Sequence, residues 1–192
     1  MVTRREWLEA GLELLAAEGA PAVTIERLTG KLGVTKGSYY HHFTGTAGFR
    51  TALLEYFEAQ FTMRLIDSVE REPGTEPWAR LQHLLKLVLS DPDSARLEIA
   101  VRAWALQDAE ARAAQERVDR TRTDYLRELC RGLKADVDAD RLAQLLYLIL
   151  IGSEQVLPPV PTSELREIYA MTLLLATGET LSDEEATHAD PH

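Results

Sequence analysis

Apolar residues recur along almost the whole chain at the three- and four-residue spacing of a helix, and no stretch shows the alternation of a strand. The pattern predicts an all-α protein. In residues 3–18, Trp7, Leu8, Leu12 and Leu15 fall on one face, and Gly19 and Pro21 end the run. Thr24 is placed to cap a short second helix, with Val23 stapled onto Leu28 and with Ile25, Leu28 and Leu32 facing inward. Gly33 offers the left-handed turn that ends it. Val34 and Thr35 repeat the arrangement, Thr35 as cap and Val34 against Tyr39, so a third helix starts two residues after the second stops.

The remaining elements are longer. Residues 45–70 read as one helix with Phe49, Leu53, Phe57, Phe61 and Leu65 along one side, stopped by Glu72-Pro73-Gly74. Trp78, Leu81, Leu85 and Val88 define the next, and Asp91-Pro92 restarts the chain into a helix with Leu97, Val101 and Trp104 inward. A helix over 109–131 is polar in its first half and carries Val118, Tyr125 and Leu129 later. Residues 139–156 are apolar nearly all round, which predicts burial on more than one side. Pro158-Pro159-Val160-Pro161 breaks that run before a last amphipathic helix with Leu165, Ile168, Thr172 and Leu175. About nine helices result, and the acidic tail over 179–192 is expected to be disordered.

Composition narrows the class. Of 192 residues, 45% are hydrophobic and 27% charged, the balance of a folded, soluble domain. The single cysteine, Cys130, excludes an intrachain disulfide framework and favours a reducing cytoplasm. Its own expected part is that of a small buried hydrophobe, with a redox role, promoted by Arg127 and Arg131, as the alternative. Glu6, Glu9 and Glu13 interrupt any apolar leader. The longest uncharged apolar run, 142–153, is twelve residues, short of the roughly 17 to 25 that span a bilayer. No membrane partner is expected.

The net charge of −10 argues against nucleic acid until its distribution is considered. Residues 1–50 hold six basic and five acidic groups, so the acidity belongs to the rest of the chain. That asymmetry suits a protein that meets DNA with one end. Two short helices joined by a glycine turn over 24–42 form a helix-turn-helix pattern, whose second helix would enter the major groove. Its first turn, Lys36, Gly37 and Ser38, combines a cation, a residue without a side chain and a small hydroxyl. Tyr40, His41 and His42 add hydrogen-bonding groups suited to phosphates.

The run Ile25-Glu26-Arg27-Leu28-Thr29-Gly30-Lys31-Leu32-Gly33-Val34-Thr35-Lys36-Gly37-Ser38-Tyr39-Tyr40-His41-His42-Phe43 closely resembles the DNA-binding segment of the TetR family of bacterial regulators. The resemblance is specific over residues 1–55 and extends as architecture over the rest. It implies an all-α homodimer that represses genes until a small molecule binds the C-terminal domain. Carried over by position, Thr24 would meet a phosphate, Thr35 and Lys36 would lie near phosphates and base edges, and Gly37 and Ser38 would face bases. Tyr40 and His42 would bind phosphates, with His41 a further contact, while Tyr39 and Phe43 would be buried. One position departs: Thr46 stands where the family usually has a basic residue, so Thr44-Gly45-Thr46 offers phosphate only hydroxyls and amides.

The family's ligand pocket among the middle helices brings in Trp104, with Phe61, His83, Tyr125 and Tyr147, an apolar set with a few polar groups. The helices near 139–156 and 163–177 would form the dimer interface. The expected division is a DNA-binding head over 1–45, a ligand-binding and dimerisation domain over 46–178, and the tail. No nucleophile elbow, phosphate loop or dinucleotide fingerprint marks an enzyme, and no cofactor or metal is expected. The adjacent His41 and His42 do not share a helix face, and His188 and His192 lie in the tail. The reading is a ligand-responsive DNA-binding regulator. The alternative is a helical protein-interaction module whose helix-turn-helix has lost its DNA.

Overall fold

The computed structural model describes residues 2–71, 76–90, 94–135 and 137–178. In chain order the helices are α1 (Arg4–Glu18), α2 (Ile25–Leu32), α3 (Lys36–His42), α4 (Gly45–Glu58), α5 (Arg64–Glu70), α6 (Pro77–Leu89), α7 (Ser94–Ala105), α8 (Ala109–Arg131), α9 (Ala139–Gln155) and α10 (Thr162–Thr177). Among the described residues there is no strand. A π-helical turn, Ala59–Met63, joins α4 to α5, so the two form one interrupted rod and the rods number nine among the described residues. The breaks expected at Glu72-Pro73-Gly74 and Asp91-Pro92, and the tail with His188 and His192, fall wholly or mainly outside the described residues.

Two compact units emerge, one of residues 1–68 with 91–122, the other of residues 69–90 with 123–192. The first begins with a capping box: the Glu6 amide donates to Thr3 Oγ1 at 3.3 Å, and the Thr3 amide donates to Glu6 Oε2 at 2.7 Å. Its core is continuous. Trp7, Leu8 and Leu15 of α1 meet Leu28, Tyr39, Phe43, Phe49, Leu53 and Phe57, together with Leu97, Val101 and Trp104 of α7 and Val118 of α8. The apolar spacing foresaw most of these as inward, and the family resemblance implied the burial of Phe43. Helix α1 lies against α2, α4 and α7, so the short helices at the N-terminus are held by longer ones.

The uninterrupted helix expected over 45–70 is corrected by the π turn. Such a turn frees carbonyls from the helical ladder. Arg122 of α8 reaches this turn: Nη2 donates to the Phe61 carbonyl at 3.0 Å and Nε to Thr62 Oγ1 at 2.9 Å. The same guanidinium donates to Glu98 Oε1 of α7 at 2.5 Å. The Glu98 and Arg122 side chains keep only 7% and 14% of their exposure, so this is a buried pair. A second polar rung lies along the same seam, where Arg102 grips Asp119 at 2.8 and 3.0 Å and Gln115 donates to Asp119 at 2.7 Å. The polar first half of α8 thus faces partners within the fold as well as water.

In the second unit, α6 buries Leu81, Leu84 and Leu85, and the end of α8 buries Tyr125, Leu126, Leu129 and Cys130. Asp138 caps α9 by accepting from the Arg141 amide at 2.9 Å. Helix α10 packs on α9 through Leu165, Tyr169, Leu173 and Ala176, and the Tyr169 hydroxyl donates to the Leu146 carbonyl at 3.1 Å. The stripe expected on α10 is therefore corrected by one register: of Leu165, Ile168, Thr172 and Leu175, only Leu165 is buried, and Leu175 is 78% exposed. Helix α10 is apolar on two faces, and periodicity alone does not choose between them. Helix α9 is likewise buried within the chain on one side only, through Leu142, Ala143 and Leu146. Among the described residues no helix is long and apolar enough to cross a membrane.

The buried pair gives a stability test. Arg122→Met leaves the Glu98 carboxylate buried beside no cation, which costs about 3–5 kcal/mol. The double variant Arg122→Met with Glu98→Leu recovers most of that loss in urea denaturation. A single variant that loses less than about 1 kcal/mol contradicts the assignment.

Candidate nucleic-acid interface

The exposed face of α2 and α3 is positioned by three local devices. Thr24 caps α2, accepting the Arg27 amide at 3.3 Å, as its sequence position predicted. Gly33 takes the left-handed conformation at φ 64° and ψ 33°, and the Val34 amide closes the helix end by donating to the Thr29 carbonyl at 3.1 Å. A side chain at Gly33 would be strained by about 1 kcal/mol or more. Helix α3 then begins at Lys36.

Thr35 departs from expectation. Its hydroxyl accepts no helix amide; its carbonyl accepts from the Ser38 amide at 3.1 Å. The residue is exposed. The next residues, Lys36 and Gly37, are exposed and Ser38 is half-buried. A Cβ built on Gly37 would meet nothing nearer than Thr35 Oγ1 at 3.6 Å, so the fold itself does not demand glycine there.

Tyr39 fixes the helix from beneath. It is fully buried, with its ring 5.4 Å from Trp7, 5.3 Å from Phe43 and 5.6 Å from Phe49. Its hydroxyl donates to the Gly45 carbonyl at 3.2 Å, and burial pushes its pKa up to about 12. Tyr40 stands edge-on to Tyr39 and is 58% exposed. His41 is exposed. His42 is half-buried, with Nε2 3.0 Å from the Val2 carbonyl, so one ring nitrogen ties the N-terminal residues to the end of α3. Thr46 is exposed in the first turn of α4, beside the exposed cap residue Thr44.

Residues 8–53 match the family described as bacterial regulatory proteins, tetR family. Over that N-terminal segment the chain is similar to the TetR family. The transcriptional regulator AcuR of Cereibacter sphaeroides is 36% identical over 75 residues, 39% of this chain and 34% of that protein. The match therefore spans about a third of that relative's length. A putative transcriptional regulator of the TetR/AcrR family has a similar fold, with a TM-score of 0.77 at 22% identity over 88% of this chain and 97% of its own. Escherichia coli NemR in its reduced form gives a TM-score of 0.73 at 20% identity, covering 95% of this chain and all of its own. The nine-rod, all-α architecture is the TetR-like fold.

The basic side chains of residues 2–50 are almost all paired with carboxylates. Arg5 pairs with Glu9, Arg27 with Glu18, Lys31 with Glu13, Lys36 with Glu26 and Arg50 with Asp108. The Glu26 hydrogen bond holds the Lys36 ammonium above its usual pKa. Arg4 is the remaining cation of residues 2–50, and its guanidinium lies 5.4 Å from the Phe43 ring centroid. Neither the Glu26–Lys36 pair nor the Arg4–Phe43 contact was anticipated. Both join residues from different helices, which helical periodicity does not relate.

The residues expected to bind a ligand do not fall together within either unit. Phe61 and Trp104 belong to the first unit, where Phe61 stacks on Phe57 at 5.5 Å and Trp104 carries Arg50 at 5.0 Å. His83, Tyr125 and Tyr147 belong to the second, where the Tyr125 hydroxyl donates to Glu70 Oε1 at 2.6 Å. An open groove of about 450 Å³ in the first unit is lined instead by Thr51, Leu54, Glu55, Glu58, Glu110 and Arg117, with Ala113 and Ala114. Cys130 is buried, and desolvation pushes its thiol up to about 11, the opposite of the activation a redox role needs. Among the described residues no His, Cys, Asp or Glu cluster could hold a metal.

Proposed function

We propose that this chain is a ligand-responsive transcriptional regulator, acting in the cytoplasm as a homodimer that represses from a palindromic operator. The observation that carries the proposal is α3 itself: a recognition helix anchored by a buried Tyr39, with Lys36, Gly37 and Tyr40 exposed. Thr24, Thr35, Lys36, Gly37, Ser38, Tyr40, His41, His42 and Thr46 make the contact, the first turn of α3 at base edges and the rest at phosphates. Residues 1–45 act as the head and 46–178 as the ligand-binding and dimerisation domain.

The dimer is supported by the apolar faces that the single chain leaves uncovered. Leu145 and Leu148 on α9, and Ile168, Met171, Leu174 and Leu175 on α10, are exposed. A patch of this kind marks an interaction surface, and a twofold axis through it presents two recognition helices to two half-sites. Phe61, His83, Trp104, Tyr125 and Tyr147 are the proposed effector contacts. A small-molecule effector lowers DNA affinity, and DNA lowers effector affinity by the same factor. Within the first unit, coupling has a ready path: Arg50 and Thr51 at the start of α4 bond Asp108 and Glu110 at the start of α8.

The paired charges favour one feature of a second reading, in which the head has lost DNA. A phosphate that displaces a carboxylate partner frees that carboxylate to gather counterions, so few are released overall. DNA binding with a shallow salt slope, no steeper than about −4 for a dimer, reconciles the paired head with regulation. The test is fluorescence anisotropy of the full chain on duplexes from a randomised selection, at several salt concentrations. Tyr40→Ala is expected to weaken binding about tenfold on every selected duplex. No enrichment of any duplex contradicts the regulator and leaves the interaction module.

Sedimentation tests the dimer separately. Leu148→Glu and Leu175→Glu each place a charge on the uncovered face and are expected to give monomers at micromolar concentration from a dimeric parent. A parent that is itself monomeric contradicts the interface.

A further inference from the structure

We propose that Glu26 is a specificity-determining residue, reading a C·G base pair together with the lysine it holds. The proposal rests on the reading of α3 as a recognition helix. Glu26 is the second residue of α2, and its carboxylate accepts from the Lys36 ammonium in the first turn of α3. Its neighbour Arg27 turns the other way, donating to Glu18 of α1 at 2.6 Å. The Glu26 and Lys36 side chains remain 66% and 59% exposed, so the pair is a surface feature. A pair so exposed contributes little to stability. Stability alone therefore does not account for a carboxylate placed where a DNA-reading helix presents its first turn to base edges.

The chemistry of the groove says what such a pair fits. A carboxylate only accepts hydrogen bonds, and an ammonium only donates them. In the major groove cytosine offers the N4 donor, while its partner guanine offers the O6 and N7 acceptors. Adenine sets its N7 acceptor beside its N6 donor, so a carboxylate there also meets a lone pair. One C·G pair thus presents donor and acceptors on opposite strands, matching Glu26 and Lys36 in turn. The two charges cancel, so the couple adds selectivity with little gain in general attraction to phosphate. Gly37, adjacent to Lys36 and without a side chain, leaves room for close approach.

The test is selection from a randomised 20-base-pair duplex library by the full chain, with Glu26→Ala and Lys36→Ala beside the wild type. Thermal melting checks that each variant folds. The wild type is expected to enrich C·G at one position of each half-site. Glu26→Ala is expected to flatten that position about tenfold while keeping the preferences elsewhere, and Lys36→Ala to relax the same base pair. A Glu26→Ala variant that keeps every preference and binds all sequences more tightly overturns the proposal, leaving Glu26 as a countercharge. A wild type that enriches no sequence overturns the DNA-reading function as well.

Discussion

The structure of the head depends on the burial of Tyr39. Helix α3 is seven residues long, far below the length at which a helix is stable alone in water. It exists because one ring on its inner side is enclosed by Trp7 of α1, Phe43 at its own end and Phe49 of α4. The Trp7 contact is edge-to-face, a geometry that orients as well as buries, so the cluster sets the direction of α3 and not only its presence. The hydroxyl bond to Gly45 then fixes where α4 begins. From there α4 leads through the π turn, where the Phe61 carbonyl accepts from Arg122.

Charge follows a consistent rule through the first unit. Near the surface of the head, cations are paired with carboxylates of neighbouring helices, so a basic count does not translate into a positive field. Between α7 and α8, the pair Arg122–Glu98 is buried and Arg102–Asp119 is half-buried. The outer pairs can exchange partners at little cost, while the inner ones are costly to break. This divides the unit into a surface free to meet a ligand and a seam that fixes how the helices lie.

Most of the fold was legible in the sequence because it rests on local chemistry. Thr24 and Gly33 do at the ends of α2 what cap residues do anywhere, and Leu28 and Tyr39 follow directly from spacing. Three features were not legible. The π turn is met by Arg122, sixty residues away from Thr62, and periodicity carries no such information. On α10 the buried face is the one whose Tyr169 reaches the Leu146 carbonyl, while the stripe through Ile168 and Leu175 is equally apolar. In the interface, the residue types of α3 were readable, but the pairing of Lys36 with Glu26 and of His42 with Val2 required the helices to be placed.

On the proposed function, DNA covers the outer face of residues 24–46. Hydrogen–deuterium exchange of the full chain, with and without a selected duplex, tests it most directly. Added protection confined to the α2–α3 segment and the start of α4 is the predicted result. Protection concentrated on α9 and α10, or none on α3, would contradict the account.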